Sequence, residues 1–116
     1  MTAIPLGAGG EFDRVRAIAA ALCPAAGRIG DDTAIIADGE GTLVVSVDAS
    51  VENVHFRRAW LSCEEIGWRA AASALSDLAA AAASPVGVVT AVVVPHGAAP
   101  DDLIDVMRGI GAAASS

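Results

Sequence analysis

The chain has 116 residues, 54% of them hydrophobic and 3% aromatic, and a formal net charge of -7. That length holds one ordinary core and is short for two independent domains, while the apolar content excludes a disordered segment. The negative charge argues against direct binding to nucleic acid or an anionic membrane, since both attract basic surfaces. A phosphate-bearing ligand therefore needs a cation between itself and this protein.

From Glu11 to Leu22 the apolar residues Phe12, Val15, Ile18, Ala19 and Leu22 recur three or four apart, which predicts a helix. Glu11 and Asp13 sit at its start, where the helix dipole favours negative charge. Pro24 and Gly27 close it. Thr33 to Ala37, the turn-like DGEG at 38–41 and TLVVSVD at 42–48 then predict a hairpin of β-branched strands.

The stretch ASVENVHFRRAWL at 49–61 has no clean period and reads as an extended loop. Ser62 and Glu65 next form the pattern of a capping box, opening a helix from about Cys63 to about Ala83. Its many alanines favour helix and give it a small cross-section, and Pro85 stops it. VGVVTAVVV at 86–94 is almost wholly apolar, as a strand buried on both faces should be. After Pro95 a last helix begins in PDDLIDVMRGIGAAASS, with Leu103, Val106, Met107 and Ile110 as its apolar stripe. The order helix, two strands, helix, strand, helix predicts an α/β (or α+β) domain, a mixed sheet covered by helices.

LAAAAASPVGVVTAVVV at 78–94 is long enough for a membrane span, but Pro85 and Gly87 divide it into a buried helix and a buried strand. No secretory signal pattern opens the chain, so the expected location is cytoplasmic. Cys23 and Cys63 lack zinc-ligand spacing and read as buried free thiols. No Walker loop, GxGxxG or Gly-x-Ser-x-Gly appears.

The chemistry-bearing positions are carboxylates. Asp31 and Asp32 precede a strand, Asp48 ends one, and Asp77 lies in LSDLAA on a helix face shared with Ala70 and Ser73. Singly, each has a plain structural reading as a turn residue, strand terminator or solvated helix residue. Together, three carboxylate sites at the edges of apolar elements suit a hard divalent cation, and magnesium fits better than zinc because it accepts oxygen ligands from a few carboxylates, water and substrate phosphates. His55 is read either as a loop histidine beside Phe56 or as a phosphate or substrate contact; His96, after Pro95, reads as an ordinary loop residue.

GEFDRV at 10–15, GRIGDDTAII at 27–36, VVSVDASVENVHF at 44–56, EEIGWRAAASALSDLAA at 64–80 and SPVGVV at 84–89 stand in the order and spacing of one family. The chain resembles the N-terminal domain of thiamine-monophosphate kinase, within the superfamily that also holds aminoimidazole ribonucleotide synthetase and selenophosphate synthetase. The resemblance implies the N-terminal domain of the aminoimidazole ribonucleotide synthetase-like fold. It also implies transfer of a phosphoryl group from ATP to thiamine monophosphate, giving thiamine diphosphate. It puts Asp32, Ser46, Val47, Asp48 and Asp77 on magnesium-ligand positions, Val47 through its backbone carbonyl, and His55 on a substrate-contacting position. It further implies a homodimer paired through the N-terminal sheets. Residues 1–116 are then a single ATP- and magnesium-binding domain, cut short of a Gly-Gly-Asp strand and a C-terminal domain, and inactive alone.

The chain departs from that family where Val47 replaces a frequent Thr, Ala74 a common Asn, and Ala81-Ala82 the usual Met-Gly. Two alternatives stay open: another ATP-dependent phosphate-chemistry enzyme of the superfamily, or a noncatalytic dimerisation module whose carboxylates are surface charge.

Overall fold

The computed structural model describes residues 8–22 and 33–116. Five elements follow in chain order: α1 (Gly10–Leu22), β1 (Ala34–Asp38), β2 (Gly41–Val45), α2 (Cys63–Ala80) and α3 (Pro100–Ala114). Cys23, Asp31 and Asp32 lie outside the described residues.

The strands β1 and β2 pair antiparallel with Ala34 opposite Val45, Ile36 opposite Leu43 and Asp38 opposite Gly41. Gly39 takes φ 54°, the positive value that the first central residue of a two-residue hairpin turn requires. The predicted hairpin is thus present, with β2 ending earlier than expected, at Val45.

α2 begins at the capping box anticipated from Ser62 and Glu65. The Ser62 hydroxyl accepts from the Glu65 N–H at 3.1 Å, and the Glu65 carboxylate accepts from the Ser62 N–H at 2.7 Å. The helix stops at Ala80 rather than Ala83. The Ala82 N–H bonds the Ala79 carbonyl and the Ala83 N–H bonds the Leu78 carbonyl, while Ala82 adopts φ 55°. This is the Schellman pattern that closes a helix, with alanine in the left-handed position where glycine is at ease. α3 starts at Pro100, whose fixed φ and missing N–H suit a first helical turn.

The core lies where α2 crosses α3. Ile66, Gly67 and Ala71 are buried on α2, and Gly109 and Ala113 on α3. A Cβ on Gly67 would overlap the backbone of Val106, and one on Gly109 would overlap the backbone of Glu64 and Trp68. The helices therefore approach closely because both carry glycine at the crossing, and no larger side chain fits between them. Leu103, Val106 and Ile110 are half-buried along the same face as anticipated, whereas Met107 is exposed.

Two expectations need correction. Residues 86–94 form no strand, and the described sheet has only β1 and β2. Val89 is 100% exposed and Val93 97%. Valine favours strands by propensity, but a strand exists only where a neighbouring backbone accepts its hydrogen bonds, and no described segment provides one. For the same reason the described helices do not cover a wide sheet; α2 and α3 pack on each other. Residues 49–61 form a loop as expected, folded into a series of turns by bonds such as His55 N–H to Val51 carbonyl at 2.8 Å and Leu61 N–H to Arg57 carbonyl at 3.2 Å. α1 is a helix as predicted, but its apolar residues Phe12, Ile18 and Leu22 remain exposed. Among the described residues no helix is long and apolar enough to cross a membrane.

Candidate functional site

The close fit of α2 on α3 uses one face of α2; another face meets the residues that follow β2. Arg69, Ser73 and Asp77 are four apart, so they form a row along the helix, cation then hydroxyl then carboxylate. The chain leaving β2 crosses this row. Ser73 Oγ donates to Asp48 Oδ2 at 2.6 Å, and Ser46 Oγ donates to Asp77 Oδ2 at 3.1 Å. Two Ser–Asp bonds run in opposite senses between strand exit and helix, so each segment orients the other's carboxylate. Asp48 Oδ1 also accepts from the Ala49 N–H at 2.8 Å.

Val47 lies between these two contacts, its side chain 90% exposed and turned from the helix. His55 is fixed by its own loop: Nδ1 accepts the Val51 N–H at 3.0 Å. In the neutral ring the proton is then on Nε2, which remains a donor. His55 shares a cavity of about 350 Å³ with Asp48, Arg69, Ala70 and Ser73. A second cavity of about 360 Å³ adjoins it, with Val54, His55 and Arg69 in the wall common to both.

Of the positions singled out from sequence, the structure thus brings Ser46, Asp48 and Asp77 together and sets His55 in the cavity that Asp48 lines. Asp31 and Asp32 fall outside the described residues. Among the described residues, no three His, Cys, Asp or Glu groups gather as a metal cluster. The donors that do meet, two carboxylates and two hydroxyls, are all hard oxygen, which is the chemistry magnesium accepts. His96 stands in a turn with Gly97 at φ 85° and lines neither cavity, as expected of a loop residue. Cys63 is a half-buried free thiol at the start of α2 rather than a core residue.

Sequence reasoning missed Ser73 as the partner of Asp48, and it missed Arg69 altogether. The four-residue spacing of Arg69, Ser73 and Asp77 is the signal that finds both. It also missed the glycines of the helix crossing, for which a glycine inside a helical pattern is the signal.

Comparison with known proteins bears on what this site belongs to. Residues 30–116 match the family model described as AIR synthase related protein, N-terminal domain. The chain belongs to that family. Among curated proteins, this AIR synthase-related domain is similar to a thiamine-monophosphate kinase of Synechococcus elongatus, 51% identical over 76 residues, 65% of the chain and 23% of the relative. It is likewise similar to thiamine-monophosphate kinases of Mycobacterium tuberculosis, 39% identical over 69 residues, and Bacillus subtilis, 40% identical over 68. Those matches cover 60% and 58% of the chain. The AIR synthase-related domain therefore spans about a fifth of the length of these relatives, 20% to 23%. No solved structure matches it significantly.

Proposed function

We propose that residues 1–116 are the N-terminal, ATP- and magnesium-binding domain of an enzyme that phosphorylates thiamine monophosphate to thiamine diphosphate. The single observation that carries this reading is the crossed pair of bonds, Ser73 to Asp48 and Ser46 to Asp77. It joins carboxylates far apart in sequence at one place, beside a histidine whose Nδ1 is held by its own loop, in a segment similar to named thiamine-monophosphate kinases.

Asp48 and Asp77 would hold magnesium, with Ser46, the Val47 carbonyl and Asp32 completing the protein ligands. When bound, the metal neutralises charge on the phosphoryl oxygens and lets an acidic protein accept a polyphosphate. The chain's own residues then position and orient: the serines fix the carboxylates, and His55 donates from Nε2 to an oxygen of the acceptor. No proton needs to be taken from an acceptor phosphate that is already ionised, so none of these residues is assigned as a general base.

The reading includes a homodimer paired through the N-terminal sheets and a cytoplasmic location. The exposed apolar side chains Ile35, Ile36 and Leu43 of the hairpin and the valines of 86–94 support the pairing, because isolated chains rarely leave so much apolar surface in water.

The test is an ATP- and magnesium-dependent assay for thiamine diphosphate, run on the 116-residue chain and on the longest protein its coding sequence supplies. The expected result is turnover by the longer protein and little or none by the shorter. Strong turnover by 116 residues overturns the incompleteness, and a longer protein that phosphorylates other acceptors but not thiamine monophosphate overturns the substrate.

A further inference from the structure

The second cavity stands out in a chain of net charge -7. Its lining includes His55, Arg57 and Arg69, with Phe56 and Trp60, and no carboxylate. The chain has seven basic residues of the Lys and Arg type in all, and two of them line this one cavity. The first cavity differs, because Asp48 lines it together with His55 and Arg69. Positive and negative walls thus meet at His55 and Arg69, which border both.

The neighbouring arginines are already engaged. Arg58 pairs with Asp102 at 2.7 Å, and Arg57 lies over the Trp60 ring, 4.7 Å from its centre. Arg69 has no hydrogen-bond or ion-pair partner among the described residues, and it stands on α2 one turn before Ser73, which holds Asp48. A guanidinium carried on α2, with a histidine on the same wall, offers the fork-like donor set that a phosphate oxygen pair requires.

We propose that Arg69 is the residue that holds the phosphate of the acceptor at the wall between the two cavities, assisted by His55 and with Arg57 contributing long-range attraction. This rests on the kinase reading for the identity of the acceptor, but the anion site itself does not. Arg69 is a positioning residue here: it takes no part in bond making, and it sets the acceptor phosphate beside Asp48 while balancing the charge that Asp48 brings. The ligand class is a phosphate monoester dianion.

The test is direct binding by calorimetry without metal or ATP, using inorganic phosphate, thiamine monophosphate and unphosphorylated thiamine, on the longest protein the coding sequence supplies. R69Q should weaken binding of both phosphate compounds about tenfold or more and leave thiamine affinity unchanged. R69K, which keeps the charge but not the fork, should recover part of that loss. Arg69 is exposed, so an unchanged melting curve for R69Q shows that the fold is intact. Wild-type affinity for inorganic phosphate in R69Q overturns the proposal, as does a wild-type protein that binds neither phosphate compound. Arg69-dependent binding of inorganic phosphate without binding of thiamine monophosphate leaves the anion site standing and overturns the kinase reading instead.

Discussion

Ser73 Oγ donates to Asp48 Oδ2 at 2.6 Å across 25 positions of sequence, tying the exit of β2 to the middle of α2. The bond is short because the acceptor is a full carboxylate. S73A removes the bond to Asp48 Oδ2 and leaves the carboxylate held only by the Ala49 N–H on Oδ1, and second partners of metal-binding side chains typically contribute about tenfold or more in metal affinity. The expected outcome is a magnesium affinity in the presence of ATP about tenfold weaker in S73A than in wild type, read as a smaller rise in melting temperature with ligand. D48N and D77N should abolish that rise. An equal rise in all four proteins refutes the assignment and favours a module whose carboxylates are surface charge.

The crossing of α2 and α3 makes a sharper demand on side-chain size than on polarity. At Gly67 and Gly109 an added methyl group meets backbone of the facing helix, which cannot swing away as a flexible side chain can. G67A and G109A should each destabilise the protein by about 2 kcal/mol or more, as overpacking of a tight core does. Chemical denaturation measures this, and the helix propensity of alanine, which alone would stabilise, makes the sign diagnostic.

At the other end of α2 the sign reverses. Ala82 holds φ 55°, a strained value for a residue with a Cβ, in the position where a closing helix favours glycine. A82G should stabilise the protein by about 0.5 to 1 kcal/mol, the strain relieved less the greater freedom of glycine in the unfolded chain. A lower denaturation midpoint in A82G contradicts the Schellman assignment.

The loop that carries His55 is anchored to α3 by Arg58 and Asp102, 2.7 Å apart. The hydrogen bond from Arg58 holds the Asp102 carboxyl below its usual range, and the carboxylate holds the guanidinium above its own. A carboxyl depressed in the folded state contributes stability above its unfolded pKa and loses it as pH falls through the folded value. The contribution is therefore present at neutral pH and disappears on acidification through and below the ordinary carboxylate range. In R58Q the Asp102 carboxyl, followed by carbon NMR, should titrate at higher pH than in wild type. Because the pair is exposed, salt should weaken the difference.

Much of this architecture can be read along the chain because it depends on neighbours in sequence. The capping box of Ser62 and Glu65, the hairpin turn at Gly39, the proline that opens α3 and the helical spacing of Leu103, Val106 and Ile110 are all local, involving residues within a few positions of one another. The candidate site was half legible: Asp48, Asp77 and His55 stand out as polar groups in apolar surroundings, and the order of motifs relates them to a family. Arg69 was hidden because an arginine on a mostly exposed helix face has an ordinary explanation as a solvated charge.

The run of valines at 86–94 marks the boundary between the two kinds of information. Composition establishes that this segment is apolar and favours β-structure, and periodicity establishes which residues of α2 and α3 can share a face. Whether the valines form a strand depends on a partner backbone, and none lies beside them among the described residues. In the same way, spacing placed Asp77 on a helix and Asp48 at a strand end, but their meeting through Ser46 and Ser73 required the path of the chain between them. Hydrogen-bond partners of high sequence separation are set by how the elements pack: one face of α2 meets α3 where two glycines let the backbones touch, and another face receives the chain that leaves β2.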